Sequence, residues 1–340
     1  MPARLSVLDQ SPIIEGHTPA QAIAQTIELA QAAERLGYHR YWLAEHHAIA
    51  ALADPCPEIL VTRVAAATTT IRVGTGGILL PYYSALKVAE QFRMLEALFP
   101  ARIDLGVGRA PGGDQTTALA MSDGHYPTAE NFPAQVQYLV AYLDDALPPG
   151  HPYAKVKAMP AGPTAPEVWL LGSSDYSGAL AAQLGLRFAF AHFISADGGD
   201  QVMRDYKRAF EPSAREQRPH ALLTVFAICA ESDAKAQRLA SAIDLRRLNM
   251  DYGRNLPVPS QEQAERHEYS DVERARVAFH RRRVVLGSPA TVRSRLTELQ
   301  QQFEADELMI ITITGDYATR LESYELIAAE WGQPYQGPAR

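Results

Sequence analysis

The sequence predicts an α/β fold, a closed (β/α)8 barrel of the TIM type, and three observations lead there. Apolar runs of strand length alternate with helix-patterned stretches along the chain, and such alternation builds a parallel sheet. The 340 residues accommodate a barrel of about 250 residues with long insertions. The side chains best suited to chemistry follow strand ends, where a parallel barrel gathers them. An open doubly wound sheet is the alternative arrangement.

Leu5-Ser6-Val7-Leu8 reads as the first strand, ending at Asp9-Gln10-Ser11-Pro12. Thr18 is placed to cap the helix that Pro19 opens, with Gln21 at capping-box spacing. Ile23, Ile27, Ala30 and Ala33 trace its apolar stripe, and Leu36-Gly37 ends it. Arg40–Ala44 is the second strand, followed by a helix over Glu58–Thr68 and a third strand over Ile71–Thr75. Val88, Phe92, Leu95 and Phe99 lie at helical spacing before Pro100, and Arg102–Gly106 is the fourth strand. Helix Pro133–Asp144 leads through a Pro/Gly-rich stretch into strand five, Val168–Leu171, with its helix over Asp175–Leu184. Arg187–Ala191 and Leu222–Cys229 are strands six and seven. Helix Val292–Phe303 precedes the eighth strand, Leu308–Ile313.

The segment Tyr252–Arg283 breaks this rhythm. It is rich in Pro, Gln, Glu and Arg with little strand pattern, so residues 252–283 are expected to form a lid or surface insertion on a single domain spanning 1–340. Arg281-Arg282-Arg283 within it is either a solvated charge run or a phosphate contact.

Hydrophobic residues make up 47% of the chain and charged residues 21%, a globular balance. A formal charge of −7 argues against nucleic acid or an anionic membrane as partner. Cys56 and Cys229 suit a reducing compartment better than a disulfide scaffold. Met1-Pro2-Ala3-Arg4-Leu5 enters a strand without a secretory signal's apolar region, and no run reaches the ~20 apolar residues of a membrane span. A cytoplasmic protein is expected.

Glu45-His46-His47 follows strand two, Gly74-Thr75-Gly76-Gly77 ends strand three, Gly106-Val107-Gly108-Arg109 ends strand four, and Gly172-Ser173-Ser174 follows strand five. A Gly-Ser-Ser turn opening a helix offers free N–H groups, hydroxyls and the positive end of the helix dipole, which suit a phosphate monoester. Ordinary capping by Ser173, Ser174 or Asp175 is the alternative use. Gly76-Gly77 permits close approach of a flat ring or is a plain turn. An imidazole such as His46 exchanges protons near neutral pH, although a lone histidine is more often structural. A metal site is disfavoured because adjacent side chains on an extended segment diverge.

Taken in order, Glu45-His46-His47, Gly74-Thr75-Gly76-Gly77, Arg109 and Gly172-Ser173-Ser174 resemble the bacterial luciferase-like family of flavin-dependent monooxygenases. The likeness covers Leu5 to about Leu184 and returns near Gly287-Ser288-Pro289 and the last strand. It implies a two-component FMN-dependent monooxygenase, supplied with reduced FMN by a separate flavin reductase. Such an enzyme would use O2, through a flavin C4a-peroxide, to oxygenate a small organic substrate. His46 matches the family's active-site histidine, and Thr75, Gly76 and Gly77 match the segment behind the flavin ring, where the family carries a non-prolyl cis peptide. Arg109, Gly172, Ser173, Ser174 and Ser177 match the phosphate site. Ser173 replaces an acidic residue of the family, and Gly108 stands where bacterial luciferase has a reactive thiol, so light emission is not implied. Leu80, Tyr82, Tyr83, Phe193 and Met250 are expected to shape an apolar pocket. The family's habit of pairing helix faces implies a homodimer. An F420-dependent hydride-transfer enzyme and a non-catalytic flavin-binding protein remain the alternatives.

Overall fold

Eight strands close into a parallel barrel whose neighbours follow chain order. The computed structural model describes residues 3–125 and 129–332; Met1 and Pro2 of the predicted entry to strand one lie outside them. The strands are β1 (Arg4–Asp9), β2 (Arg40–Leu43), β3 (Arg72–Leu79), β4 (Ile103–Gly108), β5 (Glu167–Gly172), β6 (Arg187–Ala191), β7 (Ala221–Cys229), β8 (Val284–Gly287) and β9 (Glu307–Ile311). The ring runs from β1 through β7 to β9, and β9 closes on β1 with Leu5 opposite Leu308. β8 stands outside the ring, paired with Phe226–Cys229 at the upper end of β7.

The first helices are α1 (Pro19–Arg35), α2 (Pro57–Ala67), α3 (Ala85–Leu98), α4 (Gln115–Met121), α5 (Phe132–Leu143), α6 (Asp175–Gln183) and α7 (Gly199–Ala209). They are followed by α8 (Asp233–Leu239), α9 (Ser241–Asp251), α10 (Gln261–Arg266), α11 (Asp271–Arg281), α12 (Pro289–Gln302) and α13 (Tyr317–Trp331). Local chemistry starts many of them. Thr18 and Gln21 form the expected capping box on α1, and Ser84, Asp114, Ser232 and Asp316 cap α3, α4, α8 and α13. Among the described residues no helix is long and apolar enough to cross a membrane.

Two points of the strand pattern need correction. The third strand does not end at Gly76-Gly77 but continues to Leu79, with its register against β4 shifting between Thr75 and Ile78. The glycines let it do so: a Cβ on Gly77 would sit 2.7 Å from the Gly106 carbonyl oxygen. The four-residue β8 was hidden because its Val-Val-Leu-Gly run follows three arginines and is too short to show a period. Residues 252–283 carry α10 and α11, each opened by a capping box, Ser260 with Gln263 and Ser270 with Glu273. Arg281 pairs with Asp244 at 2.5 Å and Arg282 with Asp197 at 3.0 Å, while Arg283 donates to the Ile194 carbonyl.

The core has two layers. Strand residues facing outward pack against the helices, and those facing inward form a second cluster with Leu8, Trp42, Trp169, Ala189, Leu222 and Met309. Below that cluster lies an ion layer. Arg40, 1% exposed, donates to Asp104 and Glu307, each at 2.7 Å, and to Glu167 at 3.2 Å. The Trp42 indole N–H also donates to Asp104, at 2.9 Å. Losing one partner of such a network would leave a buried charge uncompensated, at a cost of about 3–5 kcal/mol. The N-terminal end of the barrel is thereby plugged, and open space remains at the C-terminal end.

Candidate active site

A cavity of about 410 Å³ occupies the C-terminal mouth of the barrel, within the size range of small-ligand sites. Leu8, Trp42 and Met309 from the interior cluster form part of its wall. His46, Gly76, Gly77, Arg109, Gly172, Ser173, Ser174 and Ser177 all line it. Thr75 does not line it: the residue is fully buried and its hydroxyl donates to the Gly106 carbonyl at 3.0 Å. The strand pleat explains the difference, because Thr75 and Gly76 point to opposite faces of β3.

On one side, β2 delivers the Glu45-His46-His47 turn. Glu45 is held at every turn of its carboxylate, accepting from the Leu79 N–H at 2.8 Å and the Tyr83 hydroxyl at 2.6 Å, with His47 Nε2 at 2.7 Å. His47 is thus drawn away from His46, and its N–H donates to the Gly112 carbonyl at 2.9 Å, tying this turn to the loop after β4. The His46 ring places Nδ1 3.3 Å from the Ala44 carbonyl oxygen. A carbonyl only accepts, so the proton in that contact belongs to Nδ1, and Nε2 of the neutral ring is an acceptor. Burial pushes the His46 pKa down to about 4; the Ala44 contact opposes this, and the Arg246 charge adds to the depression. The imidazole is therefore neutral at physiological pH.

On the other side, β5 ends in Gly172-Ser173-Ser174, and α6 begins. Ser174 is the N-cap of α6, yet its side chain makes no capping hydrogen bond. The Tyr176 N–H is taken by the Asp175 carboxylate at 2.8 Å, while the Ser174 hydroxyl is left for another partner. Arg109 reaches across from the end of β4, its guanidinium carbon 4.3 Å from the centre of the Tyr176 ring in the first turn of α6. No carboxylate among the described residues pairs with Arg109. A guanidinium, hydroxyls and a helix N-terminus at one rim are groups suited to an anion.

Between the two sides, the peptide joining Gly76 and Gly77 is cis, the feature that the resemblance implies. Gly108 faces open space, where an added Cβ would meet no atom within 4 Å. The pocket-shaping expectations fare unevenly. Phe193 lines the cavity, but Leu80 belongs to the outer core, Tyr82 donates to the Pro111 carbonyl, Tyr83 serves Glu45, and Met250 is on the surface. Gln10 and Thr224 also line the cavity and were missed as site residues. Their signals were present: Gln10 follows strand one, and Thr224 is the lone hydroxyl in the Leu222–Cys229 run.

The arrangement offers a rim of anion-compatible groups, a slot with glycine walls and a neutral imidazole around one partly apolar space. The family described as luciferase-like monooxygenase matches residues 4–304. The chain is 39% identical to a luciferase-like monooxygenase of Escherichia coli, over 94% of this chain and 95% of that protein. It is 37% identical to an N-acetyl-S-alkylcysteine monooxygenase of Bacillus subtilis, over 96% of this chain and 97% of that protein. Among solved structures it is similar to apo-MsnO8, at 41% identity and a TM-score of 0.92, covering 98% of this chain and 100% of that one.

Proposed function

We propose, from the premise that this chain belongs to the luciferase-like monooxygenase family and is a flavin-dependent monooxygenase, that it works with reduced FMN delivered by a separate flavin reductase and oxygenates a small organic molecule. The observation that carries this reading is the convergence of Arg109, the unused Ser174 cap and the neutral His46 on one cavity. Reduced FMN supplies two electrons to O2, one oxygen atom going to the substrate and the other to water.

The chain's own residues supply the rest. Arg109, Ser173, Ser174 and Ser177, with the N-terminus of α6, would hold the phosphate. Gly76, Gly77 and Gly172 keep side chains out of the slot, and Gly108 leaves room beside it. His46 can accept a hydrogen bond or a proton at Nε2, which suits it to proton control within the cavity. Leu8, Trp42 and Met309 limit water on the barrel side. The glycine-rich run after β4 is used for this rim, which favours a reductase as the source of electrons over a nicotinamide site here.

In this reading the chain is one barrel domain with residues 252–283 as a cover. Val258 donates to the Ile13 carbonyl at 2.8 Å, and Asn255 bonds to Ala48 and Ala50 on the His46 loop, at 2.8 and 2.7 Å. Cys56 and Cys229 are both free, consistent with work in the cytoplasm.

Rapid mixing tests the reading. Reduced FMN bound to the protein, mixed with oxygen, should reoxidise more slowly than free FMN and pass through a species spectrally distinct from both end states. Reoxidation at the rate of free FMN would contradict oxygenase chemistry. Preferential binding of F420 with oxygen-independent hydride transfer would establish the deazaflavin alternative instead.

A further inference from the structure

A second cavity, of about 310 Å³, adjoins the mouth of the barrel. It lies between the loop after β6, the turn from α11 into β8, and α12, and Ile194 lines both cavities. Among the described residues, three guanidinium groups, from Arg282, Arg283 and Arg295, share its wall with one carboxylate, that of Asp197. Three positive charges against one negative leave an excess of two. The chain as a whole has a formal charge of −7, so overall composition does not account for this local excess.

The polar groups of this wall are incompletely used. His192 lines the cavity and is 5% exposed, its Nδ1 is buried without a partner, and its ring makes no hydrogen bond to a described residue. The ring meets Phe303 edge-on, with centres 5.5 Å apart. Burial first, then the charges of Arg295 and Arg283, hold its pKa down at about 4, with Asp197 opposing them. The imidazole is therefore neutral and keeps one N–H to donate. Arg283 donates to the Ile194 carbonyl and has a terminal nitrogen 3.0 Å from His280 Nδ1, yet its Nε is buried without a partner. Arg282 and Arg295 form ion pairs with exposed carboxylates, Asp197 at 3.0 Å and Glu298 at 2.8 Å. Such surface pairs are worth about 1 kcal/mol or less, so both guanidinium groups can turn to a stronger acceptor. Three like charges around one space repel one another, and an anion among them reverses the sign of that energy.

We propose that this cavity is an accessory oxyanion site that takes a phosphate group, borne by the free ion or by a phosphate monoester. A phosphate dianion matches the excess charge and accepts from several donors at once, which guanidinium groups and an imidazole N–H supply. The arginine run 281–283 is thereby divided in its uses. Arg281 is taken by Asp244, while Arg282 and Arg283 line this space. The site stands apart from the rim of Arg109 and α6, and it does not depend on which cofactor occupies the mouth.

Calorimetric titration of the full-length protein with inorganic phosphate, in phosphate-free buffer and with FMN in excess, tests the site. Wild type should show saturable binding of one phosphate per chain. Arg282→Gln and Arg295→Gln should each weaken it about tenfold, the effect of one lost hydrogen bond to a charged group. Arg208→Gln removes the same charge from an exposed position outside the cavity and should leave the affinity within about twofold. Arg109→Met should retain the phosphate binding. AMP and adenosine separate the two sources of the group. AMP that binds with the same dependence on Arg282 and Arg295 assigns a phosphate monoester, and AMP that fails to bind while phosphate does assigns the free ion. Adenosine should not bind there in either case. The proposal is overturned if wild type shows no saturable phosphate binding, if neither cavity variant weakens it, or if Arg208→Gln weakens it equally. Loss of binding in Arg109→Met would overturn it too, by placing the anion on the other rim.

Discussion

His46 shows how much a single side chain's surroundings decide. An imidazole in water titrates near 6.5, but burial lowers the His46 pKa to about 4, so the folded protein refuses a proton that the unfolded chain accepts. Stability should accordingly fall as pH drops from about 6.5 toward 4 and be unaffected by this group above that window. The ring's NMR shifts should be flat between pH 5.5 and 8 (on the order of 10% protonated at most at the lower limit), and a midpoint near neutrality would contradict the assignment. His46→Gln should slow turnover by about a hundredfold while leaving FMN affinity unchanged. His46, Arg109 and the serines were legible in the sequence because each follows a strand end, and strand ends are set by local patterns. The unmade Ser174 cap was not, because only the assembled fold decides which groups face one another.

At the scale of elements, α6 and β3 carry the argument. The turn before α6 reads equally as a cap or as an anion site, and Ser174 separates the two uses because its hydroxyl leaves the cap bond unmade. An ordinary serine cap lost to alanine costs about 1 kcal/mol. Ser174→Ala should therefore change chemical-denaturation stability by less than about 0.5 kcal/mol while weakening FMN binding several-fold; a full cap penalty with unchanged binding would favour the structural use. β3 was foreshortened in the sequence reading because two glycines ordinarily punctuate a strand. Here they allow it to run on, because a Cβ on Gly77 would strike the β4 backbone and one on Gly76 the Leu8 side chain. α10 and α11 carried legible capping signals, Ser-x-x-Gln and Ser-x-x-Glu, but their polar faces offered no apolar stripe to follow. What holds them is side-chain pairing onto α9, as in the bonds from Arg276 and His280 to Asp251 at 2.6 and 2.7 Å.

At the scale of the molecule, the barrel is closed by ions below and left open above, and all eight strands of its ring were legible from their apolar runs. The association of whole chains was not, because exposed residues leave no period in the sequence. The structure shows an apolar groove between α2 and α3, where Ile59, Met94, Leu98 and Met159 are 67%, 52%, 55% and 55% exposed. Clustered apolar exposure of this kind marks an interaction surface, and we propose that the homodimer expected from the family resemblance forms across it. Light scattering should report a dimer for wild type and a folded monomer for Met94→Glu; a dimer unaffected by that charge would place the interface elsewhere. The proposed cofactor site centres on the rim where Arg109 meets α6. Its most direct test compares the affinities of FMN and riboflavin, which differ only in the phosphate, for wild type and Arg109→Met. Wild type should prefer FMN by at least about tenfold, worth roughly 1.4 kcal/mol, and Arg109→Met should lose most of that preference with riboflavin binding unchanged. Equal affinities in wild type, or a preference that survives the substitution, would contradict the assignment of this rim to a phosphate.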